Sequence, residues 1–239
     1  MAQLAKKNEV FPRNLIRVAV AEVRFPALLA IPEPAVGKAQ KGLRKRYPEY
    51  SKQRAQSSAP EEPGEVERHL FKSRGGDWTV VLKNVAFALE SKRYLSFDDF
   101  LGRFGEVCDV FVPLLDADYA TRVGLRYIDD IPIGNDDPEG WVRDELLGLQ
   151  RSKVLPGIVE VIQGVTGKFE DCEYKFRHGV LQDEEGRRVY RLDADYFTQD
   201  VDIGILGDVI AKLHDHAYQT FEQCLGGKAL DYMRAKEAE

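Results

Sequence analysis

The chain has three cysteines in 239 residues, Cys108, Cys172 and Cys224, with no CxxC spacing among them. An odd number so placed excludes a framework of paired disulfides and offers no ligand set for structural zinc. Long apolar runs are missing too. Nothing approaches the roughly 20 residues that a bilayer-spanning helix requires, and the start "MAQLAKKNEV" lacks the apolar core of a secretory signal. A cytoplasmic protein in a reducing environment, with no membrane partner, is therefore expected.

The usual catalytic signatures are also absent. No G-x-S-x-G elbow and no G-x-G-x-x-G occur, which removes sequence support for acyl transfer and dinucleotide binding. "GVTGKF" carries a Gly-Lys pair, but Ile162 stands where a phosphate loop needs its first glycine, and Phe169 replaces the required Ser or Thr. His214 and His216 fall two apart on an expected helix, about 200° apart around its axis, so they do not converge on one metal. His69 and His178 are isolated in the sequence, and three or four convergent ligands cannot be assembled. No metal and no cofactor is expected.

What is present fits an ordinary folded protein, since 44% apolar content with 10% aromatics can fill a core. The net charge of −6 is unevenly spread, because residues 1 to 56 hold 12 Lys and Arg against 4 Glu. That imbalance concentrates positive charge near the start.

Periodicity then marks the elements. "IRVAVAEVRF" (16–25) alternates as a strand, and after Pro32 and Pro34 the residues Val36, Ala39, Leu43 and Tyr47 form one helical stripe, which Pro48 ends. Residues 51–65, polar and Pro-containing, are expected to be a mobile surface loop. Strands with a turn at "RGGD" and another near Lys83-Asn84 follow. Ser96 with Asp99 three residues later resembles a capping box, and the helix after it should bury Phe100, Phe104, Val107, Phe111 and Leu114.

The strand "TRVGLRYIDDI" closes the first half, and "PIGNDDPEG" (132–140) is the expected boundary between two lobes. A short helix at "WVRDELLGLQ", three strands within 157–197 and a closing helix from about Ile203 to Met233, interrupted near Gly226-Gly227, complete the chain. The expected class is α+β: one unit over residues 1–239, a largely antiparallel sheet with helices on one face.

"AEVRFP", "WTVVL", "YLSFDDF", "RVGLRYIDDI" and "LHDHAYQTFEQCL", spread between about Leu15 and Leu225, together resemble a sporadically distributed family of bacterial proteins of unknown function. The resemblance implies no catalytic residues. A sporadic distribution implies a place among mobile or defence-associated genes, such as anti-phage or toxin and antitoxin systems.

Three groups of candidate site residues stand out. Alternation puts Arg122 and Arg126 on one face of their strand with Gly124 and Ile128, and Val123, Leu125, Tyr127, Asp129 and Ile131 on the other. Glu22 and Arg24 share a face of the opening strand, so a Glu22–Arg126 pair is expected if the strands are neighbours; the arginines either support the sheet or hold an anion. The basic helix 35–47 offers Lys38, Lys41, Arg44 and Lys45 to nucleic acid, a nucleotide or an acidic protein. Asp77 with Glu90 and Lys92 imitates the Asp and Glu-x-Lys arrangement of magnesium-dependent nucleases, a short pattern that chance often supplies. The leading expectation is a binding or regulatory protein of a bacterial multi-gene system acting through protein contacts, with self-association a further prospect. The nuclease and the nucleic-acid binder are the alternatives.

Overall fold

A computed structural model describes residues 11–57, 64–115, 117–151, 154–155, 157–169 and 171–235. Strand β1 (Ile16–Arg24) buries Ala19, Ala21 and Val23 on one face and turns Glu22 and Arg24 to the other. Helix α1 (Glu33–Leu43) begins at Pro32, whose fixed φ suits a helix start, and buries Val36, Ala39 and Leu43. An antiparallel meander follows, β2 (Glu49–Ser57), β3 (Gly64–Lys72), β4 (Trp78–Lys83) and β5 (Ala86–Ser91). Helix α2 (Phe97–Leu115) is capped by Ser96, whose hydroxyl accepts from the Asp99 N–H at 3.2 Å. It buries Phe100, Phe104, Val107 and Phe111 as expected, and Leu115 in place of Leu114.

The second half repeats the plan. Strand β6 (Tyr119–Ile131) leads, β7 (Val161–Phe169), β8 (Cys172–Gln182) and β9 (Arg188–Asp202) form a meander, and helix α3 (Leu206–Cys224) follows, then the short α4 (Gly227–Arg234). All nine strands make one antiparallel sheet in the order β2-β3-β4-β5-β1-β6-β9-β8-β7. In each half the last meander strand returns to pair with the leading strand, and a helix comes next. The leading strands β1 and β6 pair antiparallel at the centre, so the halves are related by a topological two-fold that the sequence does not display. A single apolar cluster runs from Leu15 to Met233 and joins both halves under the helices, which gives the α+β architecture with helices on one face.

Two expectations change, and a third, the break in the closing helix, holds. Residues 51–57 belong to β2 and pair with β3 as far as Ser57↔Gly64; residues 58–63 lie outside the described residues. A strand at the sheet edge needs only one neighbour, so "SKQRAQS" pairs through its backbone without an apolar face. "WVRDELLGLQ" forms two 3₁₀ turns, Asp144–Leu146 and Gly148–Arg151, in place of an α-helix. Neither turn buries a residue of its own, so no apolar stripe drives a longer helix. The closing helix divides at Leu225, which is extended, and the Gly226 N–H donates to the Trp141 carbonyl at 2.8 Å.

Candidate functional site

The two faces of the central strands carry different chemistry. On the face away from the helices, Arg122 Nη2 donates to both Asp195 oxygens at 2.8 Å, and Nη1 lies 3.6 Å from Glu22. Its guanidinium also lies over the Phe197 ring, 4.3 Å from the centroid. Gly124 makes room for this arrangement, because a Cβ there would stand 2.5 Å from Arg122 Nη1. Arg126 grips Asp193 with two bonds of 2.6 and 2.8 Å, Arg177 reaches the same carboxylate at 3.0 Å, and Arg191 forks onto Asp130 at 2.7 and 2.8 Å.

The expected Glu22–Arg126 pair is not formed. The strands are neighbours, but the register sets Glu22 opposite Gly124 and Arg126 opposite Val20, so Glu22 meets Arg24 at 2.7 Å, Arg122 and Lys83. Burial works to raise the Glu22 carboxyl, yet Lys83, Arg24 and Arg122 together hold it below the ordinary range. Asp193 behaves alike, with Arg126 and Arg177 overcoming its burial. These arginines are engaged with acids of their own sheet.

Helix α1 ends at Leu43, short of the expected 47, so Lys38 and Lys41 lie on α1 and Arg44 and Lys45 in the turn after it; all four are exposed, and none forms an ion pair among the described residues. Asp77 and Lys92 sit at the open end of the β4–β5 hairpin, where the Lys92 N–H donates to the Asp77 carbonyl at 2.8 Å, and Glu90 is two rows in, opposite Thr79. The Asp77 carboxylate lies 3.8 Å from Arg93, and Glu90 is raised by burial, with Arg68 opposing. Among the described residues no three His, Cys, Asp or Glu side chains gather as a metal site.

The helix-side face of β6 holds what the sequence reading passed over. Tyr127 and Asp129 point there, into a cavity of about 350 Å³ closed by the segment before β1, the turn before α2, the strands β8 and β9, and α3. Its wall is mostly aromatic and aliphatic, with Tyr94, Phe97, Phe176 and Phe221 among the rings. Such a pocket, largely apolar with a few convergent polar groups, is the usual form of a small-ligand site.

Its polar groups are linked. Tyr127 Oη lies 3.0 Å from His214 Nδ1 and 3.5 Å from Tyr94 Oη, and Phe97 stacks on the His214 ring at 3.8 Å. Burial lowers His214 to about 4 against a smaller opposing pull from Asp98, so the imidazole is neutral near pH 7. Burial raises Tyr94 to about 12. Asp129 is 4% exposed, and no donor hydrogen-bonds its carboxyl among the described residues. Burial, reinforced by Asp130 and Asp193, raises it to about 8.

The remaining histidines and thiols are structural in setting. His69 and His178 each share a hydrogen bond with a tyrosine, Tyr50 at 3.0 Å and Tyr190 at 2.8 Å. His214 and His216 are both buried on different sides of α3, and His216 meets Phe169 edge-on at 4.7 Å. Cys108 and Cys224 are pushed up to about 12 by burial, which leaves them thiols at physiological pH.

The signal for the cavity lay in β6 itself. Asp129 interrupts an apolar alternation of Val123, Leu125, Tyr127 and Ile131, and a carboxyl on the core side of a strand needs a partner or a function. Comparison with family models and with curated proteins gives no match.

Proposed function

We propose that this chain is a binding or regulatory protein whose ligand is a small, largely apolar molecule held in the cavity around Asp129. The observation that carries this reading is a carboxyl 4% exposed, without a hydrogen-bond donor among the described residues, on the wall of a 350 Å³ cavity. The carboxyl keeps only a little contact with the cavity, and a ligand donor there would form a charge-assisted hydrogen bond of about 1.5–3 kcal/mol. Binding fits better than catalysis because the hydroxyls on the wall are occupied. Ser96 accepts from the Asp99 N–H, and Thr220 shares its bond with Tyr196, so neither stands beside a base that would activate it.

The test is a cavity-filling variant. Ala217→Leu projects from α3 into the space and is expected to leave the fold intact or stabilise it by up to about 1 kcal/mol. Fragments that raise the melting temperature of the wild type should lose that effect in the variant. Equal shifts in both proteins would place binding elsewhere and remove the reading.

A macromolecular partner is a second reading, favoured by the four exposed cations of α1 and the turn after it that have no ion-pair partner among the described residues. Lys41→Glu with Lys45→Glu should weaken binding to a polyanion or acidic protein about tenfold or more at low salt, with a shallower salt dependence. Unchanged affinity would discard it.

A further inference from the structure

The charge around the cavity selects among ligands, given the reading of that cavity as the ligand site. Asp129's titratable neighbours are Asp130 and Asp193 through the sheet, Tyr94 and Tyr127 beside it, and Cys224 from α3; among the described residues no Lys or Arg is paired with it. Asp98, Tyr218 and His214 are further titratable groups on the wall, with His214 bonded to Tyr127. Arg13, which also lines the cavity, carries its guanidinium over the Tyr232 ring at 4.7 Å.

The rings act in the same sense. Tyr94, Phe97, Tyr127, Phe176 and Phe221 present π systems whose faces attract cations. A carboxylate ligand would meet the Asp98 carboxylate and would oppose ionisation of Asp129, so it gains no charge pair in the site. A polyol would bury more hydroxyls than this wall can pair. A cation supplies the partner that Asp129 does not have among the described residues.

We infer that the cavity takes a small organic amine, an ammonium head on an aromatic or aliphatic body, with the ammonium paired to the Asp129 carboxylate and the body among the rings. Where Asp129 carries a proton in the free protein, it releases that proton on binding the ammonium. The amine keeps its own proton, and no covalent bond is made.

The experiment is calorimetry on the full chain with three probes of one shape: 2-phenylethylamine, 2-phenylethanol and phenylacetate. The amine is expected to bind at least about tenfold more tightly than either analogue, since a desolvated charge pair and cation–π contact add to burial common to all three. Asp129→Asn should reduce the amine to the affinity of the alcohol and leave the alcohol within about twofold. An alcohol that binds wild type as well as the amine does, or an amine preference that survives Asp129→Asn, overturns the inference while leaving the cavity reading in place. No binding of any probe, with no effect of Ala217→Leu on fragment binding, overturns both.

Discussion

Asp129 is the residue on which the account turns, and its burial has a measurable cost. In the unfolded chain its carboxyl ionises near 3.8, whereas in the fold it holds its proton up to about 8. The stability it contributes is therefore complete below about pH 3.8 and is lost as pH rises towards 8. Asp129→Asn removes that dependence, so its unfolding free energy relative to wild type should climb steadily between pH 4 and pH 8, by about 3–6 kcal/mol. A difference that stays constant with pH would mean that the carboxyl is paired or solvated. His214 works in the opposite window, because a histidine lowered to about 4 loses its stabilising contribution as pH falls from 6.5 towards 4. Tyr127→Phe strands His214 Nδ1 and should cost about 1–3 kcal/mol in urea unfolding at pH 7; a neutral result would make that hydrogen bond incidental. Asp129 could be read from the sequence as an intruder on an apolar face, but its surroundings could not, since His214 and Tyr94 come from distant segments.

At the scale of elements, legibility followed burial. Strands β1 and β6 and helices α1 and α2 each bury one face, so alternation or a helical stripe revealed them. Strand β2 buries little and is held by backbone pairing at the sheet edge, and its polar sequence looked like a loop for that reason. The Glu22 partnership failed on register, because sequence shows which residues share a face but not which rows of two strands meet. Backbone geometry adds one more test. Gly179 in β8 has φ of 151°, and a Cβ there would fall on the Val161 carbonyl of β7. Gly179→Ala should destabilise the protein by about 2 kcal/mol or more and loosen β7 first, seen as faster amide exchange from Val161 to Phe169. Uniform exchange across the sheet would show that β7 is not separately held.

The whole molecule is two strand-meander-helix halves joined through β1 and β6, and the cavity lies on the helix side of that joint. Its walls draw on residues from Phe11 to Met233, which is why no local motif announces it. The overall class was legible because meandering strands with single helices allow few arrangements, whereas the two-fold plan is carried by topology alone. The most direct test of the central claim is methyl NMR of the full chain titrated with single-ring amines, alcohols and acids. The account predicts saturable shifts at Ala194, Ala217 and Met233, which line the cavity, and none at Ala39, which is buried in α1 away from it. Shifts absent from the cavity methyls at saturating concentrations of every class, or equally large at Ala39, would contradict it.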